Sequence, residues 1–313
     1  MSLQRGIMKE VELKFSFPRK RLVKTNSDLM AIWGSPSSNT ILQNVYYDTP
    51  DFAMQRSRVA LRLRNLGGAW EQTLKGGGRD AAGLHVRDEW NWQLSDNKLD
   101  VSKLSGIDVV KNIDLGDLGP VFKTNFERIK WMIEASGSVF ELALDVGEIR
   151  GATGVRPISE IEIELKEGDV SAVLAVAERI AKQIPCWLSK ESKAARGYSL
   201  VGAPPIGREC QYEHSESAQL DELIGDLACY MEVIAEGEGN DWYKYVECMA
   251  GINSLLTLSG SDRNVGEQIV KAEVESLFQW FSRKQEVGFS EYILNSTAPG
   301  LIGLEVLRKM LAG

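Results

Sequence analysis

Glu10-Val11-Glu12-Leu13-Lys14-Phe15 and Glu160-Ile161-Glu162-Ile163-Glu164-Leu165-Lys166 are the stretches whose reading decides the fold. Side chains of an extended strand alternate between two faces, so residues i, i+2 and i+4 point the same way. The first stretch sets Glu10, Glu12 and Lys14 against Val11, Leu13 and Phe15. The second sets Glu160, Glu162, Glu164 and Lys166 against Ile161, Ile163 and Leu165. Five segments between them repeat the sorting. Arg62 and Arg64 oppose Leu61 and Leu63, and Glu71, Thr73 and Lys75 share a face. Arg87, Glu89 and Asn91 oppose Trp90 and Trp92. Arg128 and Lys130 oppose Ile129, Trp131 and Ile133, while Glu141 and Asp145 oppose Leu142, Leu144 and Val146.

A solvated sheet face accounts for one such strand. It does not account for seven whose polar faces come in sets: acid-x-acid-x-base, base-x-base, acid-x-acid-x-acid. A closed antiparallel barrel with its charged face inward does. Like charges directly opposite one another are destabilising, so the lumen must balance its charges or bind ions. Packed glutamates call for a divalent cation, and packed arginines and lysines call for phosphate. Together they describe a metal–polyphosphate complex.

Eight strands are expected at 11–17, 41–48, 59–66, 70–75, 85–94, 122–133, 139–149 and 158–166, separated by turns such as Gly67-Gly68 and Gly76-Gly77-Gly78. Helices are expected at Pro18–Trp33 and Val170–Ile184, covering the apolar outer face. The stretch 201–217 holds Gly202, Pro204, Pro205 and Gly207 and reads as a linker. From 218 to 313 the period becomes helical, as in Leu220, Leu223, Ile224, Leu227, Met231 and Ile234. The fold class is α+β: an eight-stranded antiparallel barrel (7–200) with flanking helices, then an all-α domain (218–313).

The length of 313 residues suits two domains. A net charge of −8 argues against a broad nucleic-acid surface, so phosphate binding must come from a local cluster. Four cysteines without a CxxC pair and only two histidines argue against a Cys/His zinc site. Reduced thiols point to the cytoplasm. No apolar run approaches ~20 residues, so neither a membrane span nor a membrane partner is expected.

Glu10-x-Glu12-x-Lys14 resembles the ExExK signature of the CYTH superfamily, the triphosphate tunnel metalloenzymes. That triplet alone is unspecific; the order of the later segments is specific. Tyr46-Tyr47-Asp48-Thr49-Pro50-Asp51, Ala60-Leu61-Arg62-Leu63-Arg64, Gln72-Thr73-Leu74-Lys75, Gly83 to Glu89, Arg128, Asp145, Glu160 to Glu164 and Ser192-Lys193-Ala194-Ala195-Arg196-Gly197-Tyr198 match the family pattern in sequence. The resemblance covers about residues 7–200 and is greatest to bacterial inorganic triphosphatases with a C-terminal helical CHAD domain. Two departures stand out. Asn91 occupies a position where many members carry glutamate. The helical part is shorter than a typical CHAD domain and nearly lacks histidine, so it reads as a truncated or divergent CHAD-like module.

The resemblance implies metal-dependent hydrolysis of inorganic triphosphate to pyrophosphate and phosphate. Lys14, Arg62, Arg64, Lys75, Arg128 and Lys193 would bind phosphate. Glu10, Glu12, Glu160, Glu162 and Glu164 would hold Mg²⁺ or Mn²⁺. Glu10, Glu12, Lys14, Glu89 and Asp145 form the catalytic set, with a second ion near Glu89 and Asp145 activating water. Plainer readings stand beside these. Glu164 pairs with a lumen arginine; Lys130, Lys166 and Glu141 are rim; Arg87 braces Glu89; His85 is a turn or rim residue; Asp48 caps a turn; Arg196 is structural. The alternatives are a thiamine or nucleoside triphosphatase, an adenylate cyclase, and a non-catalytic polyphosphate-binding module.

Overall fold

The computed structural model describes residues 8–81, 83–205, 215–237, 242–257, 265–282 and 288–312. Eight strands close a barrel: β1 (Met8–Ser16), β2 (Ser38–Asp48), β3 (Ala60–Asn65), β4 (Trp70–Ala81), β5 (Leu84–Leu94), β6 (Gly119–Ala135), β7 (Ser138–Arg150) and β8 (Val155–Glu167). Their order is β5-β4-β3-β2-β6-β7-β8-β1, every pair is antiparallel, and β1 pairs back to β5. A two-residue strand, β9 (Trp187–Leu188), joins β1 beyond the point where β5 begins. The alternation predicted the strands; closure satisfies the edges that each would otherwise expose.

Nine helices are present among the described residues: α1 (Leu22–Trp33), α2 (Ala53–Arg56), α3 (Ser171–Ala181), α4 (Lys193–Ser199), α5 (Glu216–Ala235), α6 (Trp242–Thr257), α7 (Val265–Ser282), α8 (Phe289–Ile293) and α9 (Ala298–Ala312). Pro18 precedes a short 3-10 turn, Arg19–Arg21, and α1 begins only at Leu22. Much of the expected linker lies outside the described residues; α5 starts within it, with Ser215 as N-cap. Three 3-10 turns between Val101 and Asp117 have no counterpart in the sequence reading. They put Leu104 and Val110 over Leu61 and Leu74 on the outside of β3 and β4.

The outward apolar faces pack as the alternation requires. Leu13, Phe15, Trp131, Leu142, Leu144, Ile161 and Ile163 meet Leu29 of α1 and Val173, Val176, Ala177 and Ile180 of α3. This cluster runs without a break into Leu220, Ile224, Met231, Tyr245, Met249 and Ile302 of the helical region. No described helix is long and apolar enough to cross a membrane.

The registers define two barrel ends. At one, β1, β2, β4 and β7 finish while β3, β5, β6 and β8 begin. The inward face there is apolar: Leu42, Tyr46, Phe122, Phe126, Ile149 and Ile158 form a cluster with Tyr198 of α4. Gly197 lets α4 sit on the ring of Phe122, since a Cβ at Gly197 would overlap that ring. The opposite end has no such filling among the described residues and is rimmed by Lys9, Leu66, Lys130 and Lys166.

Candidate active site

The lumen is a cavity of about 1940 Å³. Among the described residues twelve lysines and arginines and nine acids line it, a net of +3 in a chain of net −8. The local excess of cations that the sequence required is therefore inside the barrel. Ten of the predicted residues fall into three groups, and Glu12, Lys14 and Glu164 lie beside them.

The first group spans β1, β4 and β5. Lys75 Nζ donates to Glu10 Oε1 at 2.5 Å and lies 3.2 Å from Glu89 Oε2. Burial would raise both carboxyls, but the Lys75 ammonium outweighs it: Glu10 is lowered, and Glu89, with Arg62 adding to the effect, falls to about 2. Asn91 donates to Glu89 Oε1 at 2.8 Å and accepts from Thr73 Oγ1 at 2.7 Å. The asparagine that departs from the family pattern thus orients Glu89.

The second group centres on Lys193. Its Nζ lies 2.8 Å from Asp145 Oδ2, 2.5 Å from Glu160 Oε2 and 2.7 Å from Glu162 Oε1. Arg128 donates to Asp145 through Nε at 2.7 Å and through a terminal nitrogen at 2.6 Å, and also meets Glu162. Arg196 pairs with Glu160 and donates to the Pro157 carbonyl at 3.2 Å. Asp145 and Glu160 are wholly buried beneath this layer. Burial opposes the charges of Lys193, Arg128 and Glu162, yet their mutual attraction wins: both cations are raised and Glu162 is held well below its ordinary range.

The third group is Arg62 and Arg64 on β3. Among the described residues neither forms an ion pair. Arg64 Nε donates to Asn44 Oδ1 at 2.7 Å, and Asn44 donates to Thr124 Oγ1 at 2.8 Å. Burial, Arg62 and Arg128 push Arg64 down to about 9. Two half-buried guanidiniums beside a third make an anion hole.

The donors for a cation are also present. Glu12 on β1 pairs in register with Glu164 on β8, and Glu164 with Glu141 on β7, so three glutamates stand side by side. Glu141 pairs with Lys130 at 3.1 Å and Glu164 with Lys166 at 2.6 Å; burial raises Glu164. Lys14 Nζ is 2.8 Å from Glu12 Oε1, but not in hydrogen-bonding alignment, so that buried oxygen accepts no hydrogen bond. Asp145, Glu160 and Glu162 each bring one oxygen within 4.8 Å of the others. An all-oxygen donor set with an unsatisfied buried carboxylate fits a hard divalent cation. Asp145 and Glu89 belong to different groups, so the arrangement does not bring them together around one ion.

Residue order, registers and lumen chemistry agree, and the CYTH domain profile matches residues 8–198. The chain belongs to the CYTH family. An inorganic triphosphatase of Haemophilus influenzae is 32% identical over 195 residues, 62% of this chain and 55% of the relative. The CYTH chain thus spans just over half the length of that curated relative. Among solved structures, a putative adenylyl cyclase from Hippeastrum, described as having a dominant triphosphatase activity, is 19% identical and covers 61% of this chain and 95% of its own, with a TM-score of 0.45. The PH1819 protein of Pyrococcus horikoshii is 20% identical and covers 59% and 96%, with a TM-score of 0.40.

Several functional positions escaped the sequence reading. Asn44 holds Arg64, and its place in the Leu42, Asn44, Tyr46 alternation was the available signal. His85, expected at a turn or rim, is buried within β5 and faces Arg87 at 3.0 Å. Asp48 does cap a turn: it accepts from Thr49, Met54 and Gln55 backbone N–H groups, and also from Tyr198 Oη at 2.8 Å.

Proposed function

We propose that this CYTH protein is a metal-dependent triphosphatase that hydrolyses inorganic triphosphate to pyrophosphate and phosphate. The observation that carries the reading is Arg62 and Arg64, half-buried in the lumen wall without a carboxylate ion pair among the described residues, with Arg62 and Arg128 both repelling Arg64. A polyanion is the ligand that relieves the repulsion on Arg64. The likeness to the Haemophilus influenzae inorganic triphosphatase supports the same chemistry.

Arg62, Arg64 and Arg128 grip phosphate oxygens with planar forks, while Lys14, Lys75 and Lys193 supply point charge. Glu10, Glu12, Glu162 and Glu164, with Glu160 behind them, would hold Mg²⁺ or Mn²⁺. When bound, such an ion neutralises phosphate charge and lowers the pKa of a coordinated water. Glu89, held near 2, stays ionised and orients water by accepting its hydrogen bonds rather than storing a proton. The cationic lining offsets charge that builds in a dissociative transition state.

The aromatic lining favours an inorganic substrate over an organic triphosphate. Tyr46 stacks on Phe122 with centroids 4.5 Å apart, and Tyr198 packs edge-on to the same ring. Phe126 lies under Arg128 and Lys193 at 5.6 and 5.0 Å. These faces are already engaged.

The test is phosphate release from inorganic triphosphate, ATP and thiamine triphosphate, with Mg²⁺, Mn²⁺ or chelator, for the native chain and Glu10→Ala. Metal-dependent turnover preferring inorganic triphosphate and lost in Glu10→Ala is expected. Binding without turnover would leave a polyphosphate-binding module.

A further inference from the structure

We propose that the helical region bars extended phosphate chains from the α4 end of the tunnel, and that Asp221 is a determinant of the chain length accepted. This rests on the triphosphate reading above and names a specificity element within it. Ser217, Ala218 and Asp221 of α5 line the same cavity as Arg62 and Lys75. They do so at the end where the β2, β6, β7 and β8 side is filled by the apolar cluster around Phe122 and Tyr198. The passage left at this end runs beside β9 and α4, with α5 as its outer wall.

The charges of that passage are set against a phosphate chain. Lys190, just after β9, lines it. Its ammonium is 2.5 Å from Asp221 Oδ2 and donates to the Asp221 carbonyl at 2.7 Å. The helical region thus neutralises Lys190, so that its ammonium is engaged where phosphates beyond the third would pass. Withholding a cation there discriminates against longer chains without weakening the contacts that hold a short one.

The wall is fixed rather than hinged. Lys309 of α9 pairs with Glu216 in the first turn of α5 and donates to the Leu255 carbonyl of α6. Arg156 of β8 pairs with Glu232 of α5 at 3.1 Å. Leu220 and Ile224 on the adjoining α5 face are buried in the shared core.

The experiment compares kcat/KM for inorganic triphosphate, tetraphosphate and medium-chain polyphosphate in the full chain, Asp221→Asn, Asp221→Lys and Ser217→Trp. With triphosphate turnover kept as the check on folding, the ratio of longer-chain to triphosphate kcat/KM should rise a few-fold in Asp221→Asn, the size expected of one partly exposed ion pair. It should rise further in Asp221→Lys and fall in Ser217→Trp. Asp221→Asn, equal in size, keeps the test readable where the charge reversal disturbs folding. Unchanged ratios in both Asp221 variants would overturn the proposal. Should the native chain turn over no triphosphate, the triphosphatase reading fails separately. The same ratios, read as dissociation constants for triphosphate and tetraphosphate by calorimetry, then decide the length claim.

Discussion

Replacing Lys193 with methionine removes one ammonium from a cluster whose charges otherwise cancel. Asp145, Glu160 and Glu162 are met by Lys193, Arg128 and Arg196, while Lys14, 2.8 Å from Glu12, also reaches Glu162 at 3.4 Å, so Glu12, Asp145, Glu160 and Glu162 balance four cations. Without Lys193 one carboxylate charge is left uncompensated, and Asp145 and Glu160 have no exposed surface through which water could relieve it. Removing one partner of a buried pair costs about 3–5 kcal/mol. For a barrel of this size each kcal/mol moves Tm by about 2–4 °C, so Lys193→Met should lower it by about 6–20 °C.

The loss should narrow in acid. Glu162 is held below its ordinary value of 4.5, so its native contribution is present above that pH and is lost as pH falls through the folded value. In the variant, protonation of one carboxylate relieves the excess charge, and the two melting curves converge. Mg²⁺ or Mn²⁺ should raise Tm more in the variant than in the native chain, because three carboxylate oxygens then lack their ammonium. The assay is differential scanning calorimetry from pH 4 to 8, with and without metal. A Tm drop under about 2 °C, or a gap that widens in acid, would refute the claim that Lys193 holds this cluster.

Arg64→Met removes a cation repelled by Arg62 and Arg128; it should raise the Tm of the ligand-free protein while weakening triphosphate binding by about 1.5–3 kcal/mol, read by calorimetry. Gly197→Ala forces α4 away from Phe122, so triphosphate KM should rise through displacement of Lys193 while far-ultraviolet circular dichroism stays unchanged. Glu273 of α7 is buried, its carboxyl bonded among the described residues by Tyr245, Tyr292 and Ser296 hydroxyls at 3.2–3.3 Å, and burial raises it. A raised carboxyl gives stability that is full below the unfolded pKa and is lost as pH rises through the folded value. Glu273→Gln should therefore flatten the fall of Tm toward neutral pH, and an unchanged profile would count against a protonated Glu273.

Strand positions and lumen-facing residues were legible because a period of two, repeated seven times with charge on one face, admits few architectures. Lys14, Arg62, Arg64, Lys75 and Arg128 all line the cavity as that pattern implies. Partners were not legible, because they depend on register, and no local signal fixes which carboxylate lies opposite which cation. Asp145 therefore stood with Glu89 in the sequence reading, whereas the registers set it beside Glu160 and Arg128. The inward cluster of Tyr46, Phe122 and Phe126 was hidden for a related reason: in β6 the same face is apolar at one end and charged at the other. The turns between Val101 and Asp117 carry no periodicity, and their place is set by tertiary packing on Leu61 and Leu74.

Product analysis by phosphorus NMR, on the native chain with inorganic triphosphate or ATP and Mg²⁺ or Mn²⁺, tests the central claim most directly. Equal amounts of phosphate and pyrophosphate from inorganic triphosphate, with pyrophosphate left uncut and no cyclic nucleotide from ATP, are predicted. Intact triphosphate in the presence of metal, or pyrophosphate with cyclic nucleotide from ATP, would contradict it.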